Sequence, residues 1–259
     1  MKNTRVIPVL NNKGGVAKTI TAVTTASILA EKGYKTLLID LDQQSNATSA
    51  VGVRTTKGLL TNYDVFFEGK TLDEVAHKTG YENLYLIPSS PVFSSAMSKL
   101  IVDMLPDKDN ILKRAINKSE EGFEFVIIDC PPVLNQIITN ALMPATNIVI
   151  AASPNLFSTE GIIGILNFIR NYQPYIESYK GYGILITMHE KRRNIVDSIV
   201  ETLKQNEHLS VYKTLISKST AIEQATAVSI PINYFDPQCQ AAINYCEFVE
   251  ELLEQCAQA

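Results

Sequence analysis

The 259-residue chain has no tryptophan, only four cysteines and only three histidines. Cys130, Cys239, Cys246 and Cys256 form no C-x-x-C pair, which argues against a zinc or iron–sulfur centre. Cys239 and Cys246 are seven residues apart, a spacing that puts them on one helix face, and both read as core thiols. His77, His189 and His208 are scattered and suggest no site. No apolar run is long enough to span a bilayer, and no leader-like segment precedes the first strand-like stretch. Excess positive charge is also missing. With a formal net charge of −4, the chain as a whole is not drawn to nucleic acid or anionic lipid, so any DNA binding needs a local patch. The expectation is a cytoplasmic protein with one domain over residues 1–259.

What is present is alternation. Apolar strand-like segments fall at Val6–Leu10, Lys35–Asp40, Leu84–Pro88, Phe125–Asp129, Asn147–Ala152, Gly183–Thr187 and Val211–Ile216. Helix-like segments fall at Thr19–Lys32, Leu72–Lys78, Ile111–Ser119, Gln136–Met143, Thr159–Tyr172, Ile195–Asn206 and Gln238–Gln255. The pattern predicts an α/β fold: a doubly wound, mostly parallel β-sheet with helices on both faces. Residues 53–110 are expected to place helices over the face that holds the site.

The most informative stretch is Asn11-Asn12-Lys13-Gly14-Gly15-Val16-Ala17-Lys18-Thr19, between the first strand and a helix. A glycine-bearing turn there aims backbone N–H groups at one point, and the helix N-terminus adds partial positive charge, so the turn suits phosphate. Lys18 would reach the β- and γ-phosphates and Thr19 would ligate Mg²⁺. The strict P-loop pattern asks for glycine at 12 and 17, where this chain has Asn12 and Ala17. A methyl at 17 is a burden if the turn needs a positive φ. Two further strands end in aspartate. One runs into Asp40-Leu41-Asp42-Gln43-Gln44-Ser45-Asn46-Ala47-Thr48, and the other into Asp129-Cys130-Pro131-Pro132. In a doubly wound sheet the carboxyl ends of strands are where ligands bind.

The surviving K-G-G-x-x-K-T pattern resembles the deviant Walker A loop of the ParA/MinD family of ATPases, and the aspartate segments resemble that family's D-x-D and Walker B segments. Ser153 to Gly161, Ala221 to Ala225 and Ile230-Pro231-Ile232 extend the likeness over nearly the whole chain. The resemblance implies a P-loop NTPase that binds ATP and Mg²⁺. Lys13, Gly14, Gly15, Val16, Ala17, Lys18, Thr19 and Ile20 would line the nucleotide. Thr19, Asp40 and Asp129 would surround the metal, with Asp129 acting through a water. Asp42 would orient the attacking water. Lys13 would reach across a homodimer to the partner's nucleotide, making Lys13, Lys18 and Asp42 the catalytic set.

ParA-like members bind DNA non-specifically as ATP dimers and answer to a small ParB-like partner that stimulates hydrolysis. MinD-like members bind membrane through a basic C-terminal helix. Here Ala241–Ala259 carries Glu247, Glu250, Glu251 and Glu254 and no Lys or Arg, so membrane binding is not expected. That segment reads as a closing helix with Ile243, Phe248, Leu252 and Leu253 toward the core and the glutamates in water. The best DNA patch is Lys191-Arg192-Arg193, with Lys213 and Lys218 joining it if the late strand lies alongside. The chain opens on its first strand, which fits the short, Soj-like branch without an upstream helix-turn-helix. The expected role is partitioning of a plasmid, chromosome or mobile element by a nucleoid-associated ATPase. The alternative is a nucleotide-gated regulatory or scaffold protein, or a MinD-like positioning protein, with little dependence on DNA.

Overall fold

The computed structural model describes residues 4–93, 96, 107–154, 159–190, 201, 203, 206 and 209–258. Among the described residues eight strands form one sheet: β1 (Arg5–Leu10), β2 (Thr36–Asp40), β3 (His77–Lys78), β4 (Leu84–Ile87), β5 (Phe125–Asp129), β6 (Asn147–Ala152), β7 (Gly181–His189) and β8 (Val211–Ser217). Their order across the sheet is β3-β4-β2-β5-β1-β6-β7-β8. All pairs are parallel except β3 with β4. The α/β, doubly wound expectation is correct.

Strands β1, β2, β5 and β6 are almost wholly buried, as expected of parallel strands covered on both faces. Their continuous apolar runs split by the two-residue pleat. Val6, Leu37, Val126, Ile148 and Ile184 feed one core, while Ile7, Leu38, Ile127, Val149 and Leu185 feed the other. The first core is covered by α3 (Asn62–Phe67), α4 (Leu72–Val75), α5 (Ile111–Lys118), α6 (Gln136–Leu142) and α7 (Thr159–Tyr172). The second lies under α1 (Lys18–Glu31), α2 (Asn46–Ala50), α8 (Thr220–Ala227), α9 (Ile232–Phe235) and α10 (Gln240–Gln258). Small residues Ala22, Ala26 and Ala30 let α1 lie close against the sheet.

Four expectations need correction. The helix expected over Leu72–Lys78 stops at Val75, after a Thr71/Glu74 capping box. His77 and Lys78 then pair with Leu86 and Tyr85 as an antiparallel edge, and His77 Nε2 lies 2.9 Å from the Leu60 carbonyl oxygen. Cys246 is exposed and Cys239 half-buried, whereas Cys130 and Cys256 are the core thiols. In α10 the buried stripe runs through Ala241, Tyr245, Phe248, Val249 and Leu252, which leaves Ile243 38% exposed and Leu253 only half-buried. The α10 glutamates are not all simply solvated: Glu251 accepts the amides of Lys213 and Thr214 at 2.7 and 3.1 Å, and so covers part of edge strand β8. The helix expected over 195–206 falls largely outside the described residues. Among the described residues no helix is long and apolar enough to cross a membrane.

Candidate nucleotide site

The site forms at the carboxyl ends of the central strands, where β1 lies between β5 and β6 and the chain changes direction across the sheet. Residues 11–17 leave β1 and are held from two neighbouring strands. Asn11 Nδ2 donates to the Ala151 carbonyl at 2.6 Å, its Oδ1 accepts the Lys13 amide at 2.8 Å, and Thr187 Oγ1 donates to the Val16 carbonyl at 3.0 Å. Gly15 has φ 73°, and Ala17, the N-cap of α1, has φ 59° and ψ 28°. The turn therefore does need positive φ at residue 17, and alanine carries that strain. The cap residue offers no side-chain hydrogen bond, so the first α1 amides are left to face the loop's concavity.

Lys18, buried at the head of α1, donates from Nζ to the Lys13 carbonyl at 2.7 Å. Burial lowers its pKa, and the Asp129 carboxylate is the strongest opposing influence. Asp129 closes β5 and is fully buried, yet among the described residues neither of its oxygens has a hydrogen-bond partner. Burial, and then the charge of Asp40, raise its pKa well above the usual carboxylate range, while the nearby Thr19 hydroxyl and Lys18 oppose the shift. Two orphaned carboxylate oxygens beside a threonine hydroxyl are an uncompensated cost in the protein alone. They fit the water shell of a hydrated magnesium ion.

Asp40 is in the opposite condition. Its Oδ2 accepts the Thr48 amide at 2.8 Å and the Thr48 hydroxyl at 2.7 Å, and its Oδ1 accepts the Asp42 amide at 3.0 Å. Burial still raises its pKa to about 7. Asp42 is buried, and its Oδ1 accepts the Gln44 amide at 3.0 Å.

Beside the loop opens a cleft of about 620 Å³. Gly15, Ala17, Thr19 and Ile20 form one wall, while Ile216 to Ser219, Ile222, Glu223 and Tyr245 form the other. The lining is largely apolar, and Tyr245 is pinned to α1 by a 3.0 Å hydroxyl contact with Thr21. Its size suits a nucleobase and ribose running on from the phosphate turn. Sequence reasoning named no base contacts. Glu223 and Ile222 did stand in the late segment likened to the family, but Met188 and Tyr245 carried no signal.

Lys13, Gly14, Gly15, Val16, Ala17, Lys18, Thr19, Ile20, Asp40, Asp42 and Asp129 are thus brought to one place. Lys191, Arg192 and Arg193 lie outside the described residues. Lys218 lines the cleft and pairs with Glu190 at 2.9 Å. Lys213 lies five residues back along β8, roughly 16 Å away by strand rise.

The family signature of an AAA domain matches residues 4–180. The chain is 30% identical over 249 residues to the sporulation initiation inhibitor protein Soj of Bacillus subtilis, covering 96% of this chain and 98% of that protein. It belongs to the ParA/Soj family of P-loop ATPases. A second Soj, the chromosome-partitioning ATPase of Treponema pallidum, is 30% identical over 245 residues, covering 94% of this chain and 95% of that one. Among solved structures, cobyrinic acid a,c-diamide synthase from Mycobacterium smegmatis, with bound ATP analogue and magnesium, superimposes with a TM-score of 0.84 at 26% identity. That match covers 96% of this chain and 94% of the synthase. The ParA/Soj assignment agrees with the expectation from the loop and the two aspartate strands.

Proposed function

We propose that this ParA/Soj ATPase binds ATP with magnesium, dimerises in the ATP state and hydrolyses ATP slowly to drive partitioning of a DNA cargo. The observation that carries the nucleotide reading is Asp129: a buried carboxylate with two unpartnered oxygens, set beside Lys18 and Thr19 at a phosphate turn. Thr19 and Asp129 would hold the magnesium ion, and the ion would supply charge that neutralises the phosphates. Lys18 would exchange the Lys13 carbonyl for phosphate oxygens. Asp42 would orient water toward the γ-phosphorus, and the 620 Å³ cleft would take adenosine. Lys13, on the same exposed turn as Gly14, would complete the partner's site, so that ATP favours the dimer by contacting both halves.

For the output, a basic loop at Lys191-Arg192-Arg193, doubled by a two-fold dimer, would bind duplex DNA without sequence preference. A small ParB-like protein would stimulate turnover, and the protein would sit on the nucleoid in the cytoplasm. The names of the relatives support this reading. A second reading has one observation in its favour: Lys218 is engaged with Glu190 at the cleft and Lys213 is far along the strand, so neither adds to a common basic surface with the other. In that case the switch would dock on a protein assembly with little dependence on DNA.

Hydrolysis is measured with and without non-specific duplex DNA at low and moderate salt, beside Lys18→Ala and Arg192→Ala/Arg193→Ala. Turnover that requires Lys18, rises with DNA and loses that rise in the double variant supports partitioning. Lys18-dependent turnover that ignores DNA moves the function to the protein-docked reading. Absence of any ATP binding sinks both.

A further inference from the structure

Beneath the site lies a closed ring of buried hydrogen bonds that the roles above do not use. Thr48 donates its amide and its hydroxyl to Asp40 Oδ2. The same hydroxyl oxygen accepts the Ser89 amide at 3.0 Å. Asn62 Nδ2 donates to Ser89 Oγ at 3.1 Å and to the Asp40 carbonyl at 2.9 Å, which closes the ring. Asp40, Thr48, Asn62 and Ser89 are each at most 1% exposed. The remaining oxygen of Asp40 accepts the amide of Asp42.

We infer that Thr48 is a positioning residue for hydrolysis: its hydroxyl fixes the Asp40 carboxylate, which in turn fixes the backbone from which Asp42 addresses the attacking water. The inference rests on the role proposed for Asp42. The chain between Asp40 and Thr48 is a short loop that turns through Ser45 at φ 53°, so it needs an anchor at each end. Asp40 provides both, because one carboxylate grips the amide of Asp42 and the first turn of α2. A carboxylate is the group that can accept three such donors at once. The Thr48 hydroxyl joins the Asp40 carboxylate to the Ser89 amide, just past β4, while Asn62 joins the Asp40 backbone carbonyl to the Ser89 hydroxyl. The Thr48 hydroxyl therefore ties the loop to the sheet and, through Asn62, to the head of α3. A displacement of about 1 Å at a water-orienting group costs up to about a hundredfold in rate without weakening substrate binding.

The test compares Thr48→Val, which removes the hydroxyl at nearly constant shape, with Thr48→Ser, which restores it. Three quantities are read: affinity for ATP with magnesium, kcat, and amide hydrogen exchange over residues 41–47 before nucleotide is added. The expected result for Thr48→Val is affinity within about twofold of wild type, kcat lower by about tenfold or more, and faster exchange at the Asp42 amide. Thr48→Ser is expected to recover both kcat and protection. An unchanged kcat in the valine variant overturns the inference, whether or not exchange rises. So does a serine variant as impaired as the valine one, since methyl packing and not the hydroxyl would then matter. If wild-type protein fails to turn over ATP, the hydrolysis reading fails on its own, and the exchange measurement still decides whether Thr48 holds the Asp42 loop.

Discussion

Asp40 and Asp129 are register partners on adjacent parallel strands, fully buried side by side at the carboxyl end of the sheet. One is saturated with protein donors, while among the described residues the other has none on either oxygen. The contrast divides their work. Asp40 holds the Asp42 amide and the first turn of α2, and on the proposed reading Asp129 would be left open to the cation that a nucleotide brings. The pair is costly when both are charged, because burial and mutual repulsion disfavour the second charge.

That cost makes the stability of the nucleotide-free protein depend on pH. Both folded-state pKa values are raised, Asp40 to about 7 and Asp129 well above the ordinary value of 3.8. Below the unfolded value both states carry the protons and the pair costs nothing. As pH rises toward and past 7 the unfolded chain has released protons that the folded one retains, so the pair's contribution to stability is progressively lost. Asp129→Asn removes the burden. Its melting temperature, without nucleotide or magnesium, is expected to exceed that of wild type by an amount that grows from pH 5 to pH 8. A difference that is flat or shrinks across that range contradicts the reading.

On the proposed reading, Lys13 would separate assembly from binding. Its carbonyl accepts the Lys18 ammonium, but that contact uses the backbone and survives substitution of the side chain. Lys13→Ala is therefore expected to bind ATP as a monomer with near-normal affinity, to lose ATP-dependent dimerisation, and to lose turnover on the order of a hundredfold or more. Light scattering with a slowly hydrolysed analogue, beside a phosphate-release assay, checks both. A dimer that persists in Lys13→Ala would refute the trans role.

Ala17 holds a left-handed conformation at the head of α1. An L-residue there costs about 1–2 kcal/mol relative to glycine, partly repaid by the lower entropy of the unfolded alanine chain. Ala17→Gly should gain about 1 kcal/mol, or about 2–4 °C in melting temperature for a protein of this size. Urea denaturation measures it. A loss of stability would mean that the methyl packs usefully.

Gly183 in β7 has a different reason to be glycine. A Cβ placed there would lie 2.3 Å from Tyr212 Cε2 and 2.5 Å from its Cζ. The ring is buried, sits edge-on to Phe248 and hydrogen-bonds Gln255 Oε1 at 2.6 Å, so it has little room to retreat. Gly183→Ala is expected to destabilise by about 1–3 kcal/mol, read by the same denaturation. Lowered cost in a Gly183→Ala/Tyr212→Leu double variant would assign the effect to this one contact.

Much of this was legible along the chain. A parallel strand buried on both faces must be apolar throughout and must deliver its ligand groups at its carboxyl end. Val6–Leu10, Lys35–Asp40 and Phe125–Asp129 therefore announced the sheet and a candidate site at its carboxyl end, and the lysines and glycines of residues 13–19 pointed to phosphate as the ligand. Local spacing could not show what distant elements supply. The Asp40 carboxylate is saturated by Asp42 and Thr48, two and eight residues on, but the ring that braces it needs Ser89 and Asn62 to arrive from two further segments. That a cleft opens beside the loop depends on β8, α8 and Tyr245 of α10 packing against α1. The outward turn of Ile243 and Cys246 reflects the rotational phase of a helix, which is set by the surface that α10 covers. The single-residue pattern determined which strands are buried and what charge they carry to their ends. Only the tertiary structure decided that two of those charges lie buried side by side and what braces the loop beside them, because segments far apart in sequence meet only once the layers have packed.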